Sequence, residues 1–538
     1  MSKMPRILLA GLLSTSMLTG AAFAANVPAG TVLADDQTFT YRVLDEHSSV
    51  DPQVVEDVSG SEIVRDLFEG LFNQDADGNL VPGVALDFVA NEDNTQFTFN
   101  LRDNAKWSNG DPVTAGDFVY AWQRLLDPEL ASPYQWFGEI MNIVNAGAVI
   151  AGDMPTSELG VSAADDHTLV VNLSVSTPHF PLMTTHASTF PAPQSVVEAH
   201  GAEWIKPENI VSNGAYVLTE HVPSERSVRE RNTMYWDNAN TVIDKVVALV
   251  INDENVAFQR YEAGELDRTE IPSGQYPQLK VSHPDEATVF PRLCSYYYNV
   301  NLRENGPAPL KDARVRQALS MAIDRDIITE NVTAGGQFPA YTFTPGATAG
   351  FEVPDVEMAN MSQAERDAAA KALLAEAGYP DGFDTQIIYN TSEGHKRIAI
   401  AISQMWKQKL GVNAELANQE WQTFLETRGN GDFEIARAGW CGDYNEASTF
   451  LDLVDSGSGY NDSAYNNPEV DALLQQAKVS ADRQPIYTQI EQIIADEVPI
   501  IPIYHYTANY MLDSDLGGWP VNNVEQNWYS KDLWKIAE

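Results

Sequence analysis

Ala436-Arg437-Ala438-Gly439-Trp440-Cys441-Gly442-Asp443-Tyr444-Asn445-Glu446 gathers an arginine, an aspartate, two aromatics and one of the chain's two cysteines into one short run. Just upstream, Phe433, Ile435 and Arg437 alternate, so they share one face of a predicted strand. A face that carries Phe and Ile is a buried face, and a charge buried there needs a partner. Two readings stay open from the residues alone. Arg437 and Asp443 neutralise each other in a core, or they receive the two ends of a zwitterion, Asp443 an ammonium and Arg437 a carboxylate.

Outward from this run, helical and strand signals alternate along the whole chain, which points to mixed α/β architecture. Ser61 opens a short helix in which Ile63 and Leu67 share a face and Gly70 ends the pattern. Thr114 with Asp117 makes a capping-box start for the stripe Phe118, Trp122, Leu125 and Leu126. Ser362 with Glu365 opens another helix, stopped by Gly378 and Pro380. Ile398, Ile402, Met405, Trp406 and Leu410 mark a further one ending at Gly411. Phe97 to Leu101 and Leu169 to Leu173 alternate as strands, and Val246 to Ile251 is apolar enough for a buried strand. Neither an internal repeat nor a Pro/Gly/Ser-rich linker divides the chain, so its domains are expected to be interwoven.

The chain has 538 residues, too many for one ordinary core. Its start reads as a secretory signal: Lys3 and Arg6, an apolar stretch from Ile7 to Leu18, then Ala22-Phe23-Ala24. Cleavage is expected after Ala24, with Ala25 the alternative, leaving a free chain outside the cytoplasm. The formal charge is −43, and loss of Lys3 and Arg6 takes it to −45. So acidic a chain repels nucleic acid and anionic membranes. An oxidising compartment makes a disulfide between Cys294 and Cys441 the default. It closes a loop of roughly 150 residues, which the chain-entropy model values at about 5 kcal/mol.

Signatures of catalysis are missing: no H-E-x-x-H, no G-x-S-x-G, no phosphate-binding glycine loop and no dinucleotide fingerprint. The nine histidines show no pair at metal-ligand spacing on one helix, so neither a metal nor another cofactor is expected. Asn73 to Asn79 imitates a calcium loop, but Val84 stands where a bidentate Glu is required. The segment reads instead as a hairpin turn with Asp77-Gly78 at its corner.

The run from Ala436 to Glu446 resembles the signature of the bacterial periplasmic oligopeptide-binding proteins. Leu293-Cys294-Ser295-Tyr296-Tyr297-Tyr298 is similar to their segment carrying the partner cysteine. Arg65 to Leu71, Asn104 to Ser108 with Pro112 to Ala115, Asp117 to Tyr120 with Trp122 to Arg124, Asn213 to Tyr216 and Asn418 to Phe424 extend the likeness, in order, from about residue 27 to the C-terminus. The resemblance implies two lobes that close on a ligand, plus a third domain. Domain I is expected at 25-68, 194-293 and 510-538, domain II at 69-193 and domain III at 294-509, after a signal peptide at 1-24. It implies a monomer that captures short peptides and hands them to the membrane permease and ATPase subunits of an ABC importer.

Site residues carry over position by position. Asp443 matches the carboxylate that receives the peptide ammonium. Arg437, Arg428 and His395 match residues that meet the C-terminal carboxylate. Glu56, Val58, Tyr134, Tyr297, Trp421 and Trp440 match contacts along the ligand. The chain departs from the family at Thr333, where a lysine is usual, and at Asn299, where a glutamate is usual. One cation and one anion are lost together, which conserves net charge and puts ligand length and side-chain preference in question. A binder of another solute in the same fold, such as a cell-wall peptide or a peptide-like small molecule, is the alternative. A secreted hydrolase is a remoter one.

Overall fold

The computed structural model describes residues 27–480 and 482–537. The expected signal peptide and cleavage site lie outside the described residues. One large sheet runs through the molecule, in the order Asn413–Gln419, Asp384–Asn390, Ile435–Cys441, Ala287–Val300, Ile500–Leu512, Arg268–Glu270, Thr38–Val43, Lys245–Val250, Arg226–Arg231 and Tyr216–Val222. A short strand, Phe338–Pro339, also pairs with Ile500–Leu512. The first three strands belong to one lobe and the last five to the other. Ala287–Val300 and Ile500–Leu512, antiparallel neighbours, are the long strands that cross between them.

Their ladder shifts register between Pro291 and Ser295. Proline has no N–H to donate, so a bulge is tolerated there, and the crossing bends at that point. Three residues on, Cys294 faces Cys441 across the next pair of strands, and the two are bonded. A separate four-stranded sheet, Ala85–Ala90, Gln96–Leu101, Thr168–Asn172 and Val161–Asp165, forms a smaller third unit with the helix Ala115–Leu125 against it. Phe97, Phe99, Phe118 and Trp122 are its core. The C-terminal tail returns to the start of the described chain, where Leu33 bridges Ile536 and the Gln37 side chain donates to the Lys535 carbonyl.

Local sequence explains most boundaries. The Thr114–Asp117 and Ser362–Glu365 capping boxes are both formed, and the helix Glu393–Leu410 ends at Gly411 in the left-handed region. The helix expected from Ser61 instead spans Val58–Leu67, because the Asp57 side chain caps it by accepting from the Gly60 N–H. Gly214 packs so closely on the end of that helix that a Cβ would lie 2.6 Å from the Asp66 carbonyl oxygen. Asn73 to Asn79 is a hairpin turn, with Gly78 at φ +80° and Asp75 accepting from the Asp77 and Asn79 N–H groups. No helix among the described residues is long and apolar enough to cross a membrane.

Candidate ligand-binding site

The strand Ile435–Cys441 is where the site begins. On one side it pairs fully with Ala287–Val300, from Cys441 back to Ile435. On the other it meets Asp384–Asn390 only through Ile435 and Ala436. From Arg437 onward that second edge carries no partner strand among the described residues, and it opens into a cavity of about 410 Å³ between the lobes. Ala436 and Ala438 are fully buried on the opposite face, while Arg437, Gly439 and Cys441 line the cavity. A bare strand edge beside a cleft is a template for another extended chain.

Asp443 stands just past one end of this edge and is 8% exposed. Its Oδ1 accepts from the Tyr134 hydroxyl at 3.3 Å and lies 3.4 Å from His186 Nε2. Its Oδ2 has no partner. Burial pushes the Asp443 carboxyl well above the usual carboxylate range, against the opposing hydrogen bond from Tyr134. Burial, with some help from Arg65, pushes His186 down to about 3, so that imidazole is neutral. Among the described residues Asp443 therefore has no cation beside it.

Arg437 stands at the other end. It donates to the Tyr506 hydroxyl at 2.8 Å and to Asn390 Oδ1 at 3.4 Å, and its guanidinium lies 4.9 Å from the Tyr296 ring centroid. No carboxylate pairs with it among the described residues, and its Nε is unsatisfied. Arg437 and Asp443 form no ion pair with each other among the described residues. Arg437 is a buried charge without a paired carboxylate and Asp443 a buried carboxyl without a paired cation among the described residues, and together they flank an unpaired strand edge.

All the other expected contacts except Tyr297 line the same cavity: Arg428, His395, Glu56, Val58, Tyr134, Trp421 and Trp440. Arg428, however, is already matched, with its Nε 2.8 Å from Asp462 Oδ2. That same Asp462 oxygen accepts from Asn299 Nδ2 at 3.2 Å, so the amide at position 299 supports the Arg428–Asp462 pair where an acid would repel it. His395 is held neutral by burial and by Arg437, and offers hydrogen bonding but no charge. Thr333 lines the cavity and donates to Gln337 Oε1 at 2.8 Å. Tyr297 is placed elsewhere: its ring meets Phe343 edge-on in the core, away from the cavity.

The structure also brings in residues that sequence reasoning missed. His186 packs on Tyr134 and Phe137, with ring centroids at 4.7 and 4.8 Å. Tyr460 donates to Glu56 Oε2 at 3.0 Å. Polar contacts bridge the cleft: Trp421 Nε1 donates to Asp57 Oδ2 at 3.4 Å, and Asn390 Nδ2 to Asp45 Oδ2 at 3.4 Å.

Residues 79–462 match the family model described as bacterial extracellular solute-binding proteins, family 5 Middle. The periplasmic murein peptide-binding protein MppA of Escherichia coli is 46% identical over 520 residues, 96% of each chain. The periplasmic oligopeptide-binding protein OppA of Salmonella typhimurium is 45% identical over 539 residues, 98% of each chain. A solved structure of the MppA protein superposes with a TM-score of 0.92 at 45% identity, covering 94% of this chain and 100% of the other. A second MppA structure, the unliganded open form, gives 0.68 at 45% identity, covering 95% and 99%. With sequence held constant, that contrast separates the present arrangement of lobes from the open one.

Proposed function

The chain belongs to the family 5 bacterial extracellular solute-binding proteins, and from that premise we propose that it captures short peptides by their backbone and their two ends. Its relatives are solute-binding proteins, not enzymes. The observation that carries the reading is the unpaired edge of Ile435–Cys441, flanked by Arg437 without an anion and Asp443 without a cation. A peptide whose ammonium meets Asp443 and whose carboxylate meets Arg437 runs opposite to this strand and adds to it as an antiparallel neighbour. Arg437 and Cys441 lie four residue steps apart along the strand, about 13 Å, which suits a ligand of about three to five residues. Backbone pairing supplies affinity, and the roomy cavity, filled around the ligand by water, tolerates varied side chains. Arg428, matched by Asp462, is the weaker carboxylate receptor of the two arginines.

The domain division given by the resemblance accords with this reading: domains I and III close on the peptide, and domain II, 69-193, sends Tyr134 and His186 to Asp443. Export through a signal peptide cleaved after Ala24 places the protein in the periplasm, the compartment its relatives' names give. There it hands peptide to the permease and ATPase subunits of an ABC importer. A cell-wall peptide is the second reading, favoured by the likeness to MppA, and it presents the same ammonium and carboxylate chemistry.

Calorimetric titration with a panel of tripeptides to pentapeptides, one murein-type peptide included, tests the proposal. One-to-one binding that tolerates side-chain changes and collapses on blocking either terminus is expected. Failure of every peptide to bind overturns it.

A further inference from the structure

Away from the cleft, Glu46, His47 and His221 converge. Glu46 and His47 follow the strand Thr38–Val43, and His221 sits near the end of Tyr216–Val222, 175 residues from Glu46. His47 Nδ1 lies 3.1 Å and His221 Nε2 2.9 Å from the same Glu46 oxygen, Oε1. The three ligand atoms all fall within 4.8 Å of one another. The other Glu46 oxygen, Oε2, accepts from the backbone N–H of Ser224 in the following hairpin turn, which fixes the carboxylate's orientation. Glu46 and His47 are largely buried, and His221, 29% exposed, opens the cluster to solvent. None of the three lines the cleft.

We propose that these residues form a Zn²⁺ site with three protein ligands and one position open to water. Tetrahedral zinc with bonds of 2.0–2.1 Å separates its ligand atoms by about 3.3 Å. The two spacings to Glu46 Oε1, 2.9 and 3.1 Å, need to widen by a few tenths of an ångström, and the His47–His221 spacing, which lies within 4.8 Å, has to settle near the same value to admit the ion. Two imidazoles with one carboxylate favour zinc over calcium or magnesium, which seek all-oxygen sites. Asp57 adds negative potential at His47 and Arg229 opposes it, while the strongly acidic chain raises the local concentration of cations.

The site has a structural consequence. Leu44, Asp45, Glu56 and Asp57 line the cleft, and Glu46 and His47 lie within that same segment. A bound ion ties the segment to the hairpin formed by Tyr216–Val222 and Arg226–Arg231. It braces one wall of the cleft and is not cargo held inside it.

The test uses the full mature chain stripped of metal, titrated with Zn²⁺ alone and separately with Co²⁺ as a spectroscopic probe. One Zn²⁺ per chain is expected, with the intense visible absorption of tetrahedral Co²⁺. His221→Asn, at the most exposed ligand, should weaken Zn²⁺ by at least about 100-fold, beyond what loss of an outer partner costs. Circular dichroism confirms its fold, and Glu46→Gln gives an independent second variant. Absence of stoichiometric Zn²⁺ binding, or binding equally strong in His221→Asn and Glu46→Gln, overturns the proposal.

Discussion

Replacing Asp443 by Asn keeps the shape of the side chain and removes its charge. Its Oδ2 has no partner among the described residues, and burial holds its proton well above the usual carboxylate range. An arriving peptide ammonium supplies the missing cation and favours the ionised form. Losing one partner of a buried charge pair costs about 3–5 kcal/mol, a factor of roughly a hundred to several thousand in affinity. Proton linkage follows with a definite sign. The empty site keeps its proton to higher pH than the occupied one, so binding releases a proton and affinity falls as pH drops below the empty-site value. The assay is calorimetry on four combinations: wild type and Asp443→Asn, each with a free and an N-acetylated peptide. Acetylation should weaken the wild type severely and the variant little, giving a coupling of about 3 kcal/mol. Additivity within about 0.5 kcal/mol refutes the assignment of the amine to Asp443.

Arg437→Met should lower affinity for peptides with a free carboxylate by about 100-fold or more and leave C-terminal amides almost unaffected, as calorimetry on the paired ligands reads. Because Arg437 has no carboxylate partner, the change orphans no anion, and thermal unfolding of the empty protein should show no loss of stability. The Cys294–Cys441 bond closes 147 residues, so Cys294→Ala with Cys441→Ala should cost about 5 kcal/mol by the chain-entropy model, read as a lower guanidinium midpoint. Burial pushes the Asp452 carboxyl up to about 7. The folded state therefore binds the extra proton between the ordinary carboxylate value and pH 7, and stability falls as pH rises through that window. Asp452→Asn should remove that fall, gaining on the order of 4 kcal/mol over wild type at pH 8 and almost nothing at pH 4, measured by denaturant unfolding.

The parts of the fold carried by local chemistry were legible in the sequence. Thr114 with Asp117 and Ser362 with Glu365 announce helix starts because an N-cap and its N3 acid satisfy each other within four residues. The helix at Val58 began earlier than its apolar stripe, because Asp57 supplied a cap the stripe does not reveal. Arg437 and Asp443 stood out as well, since an Arg and an Asp beside a buried strand demand partners, and the fold places both on the cavity wall. Long-range facts were not. Tyr297 lies on a central strand buried on both faces, where alternation cannot say which side meets the cleft. Arg428 looks free until the fold brings Asp462 beside it from 34 residues further along the chain. His186 and the Glu46–His47–His221 cluster have no local spacing to betray them, because their neighbours arrive from distant strands and loops.

A cleft that holds a short peptide by both of its ends should still carry one when the protein leaves the cell. The chain should be purified from its own compartment under native conditions with no ligand added, then denatured, and the released molecules identified by mass spectrometry. About one equivalent of mixed peptides, about three to five residues long with free amino and carboxyl termini, is the predicted result. Stoichiometric release of a solute that lacks a free amine would contradict capture by both ends.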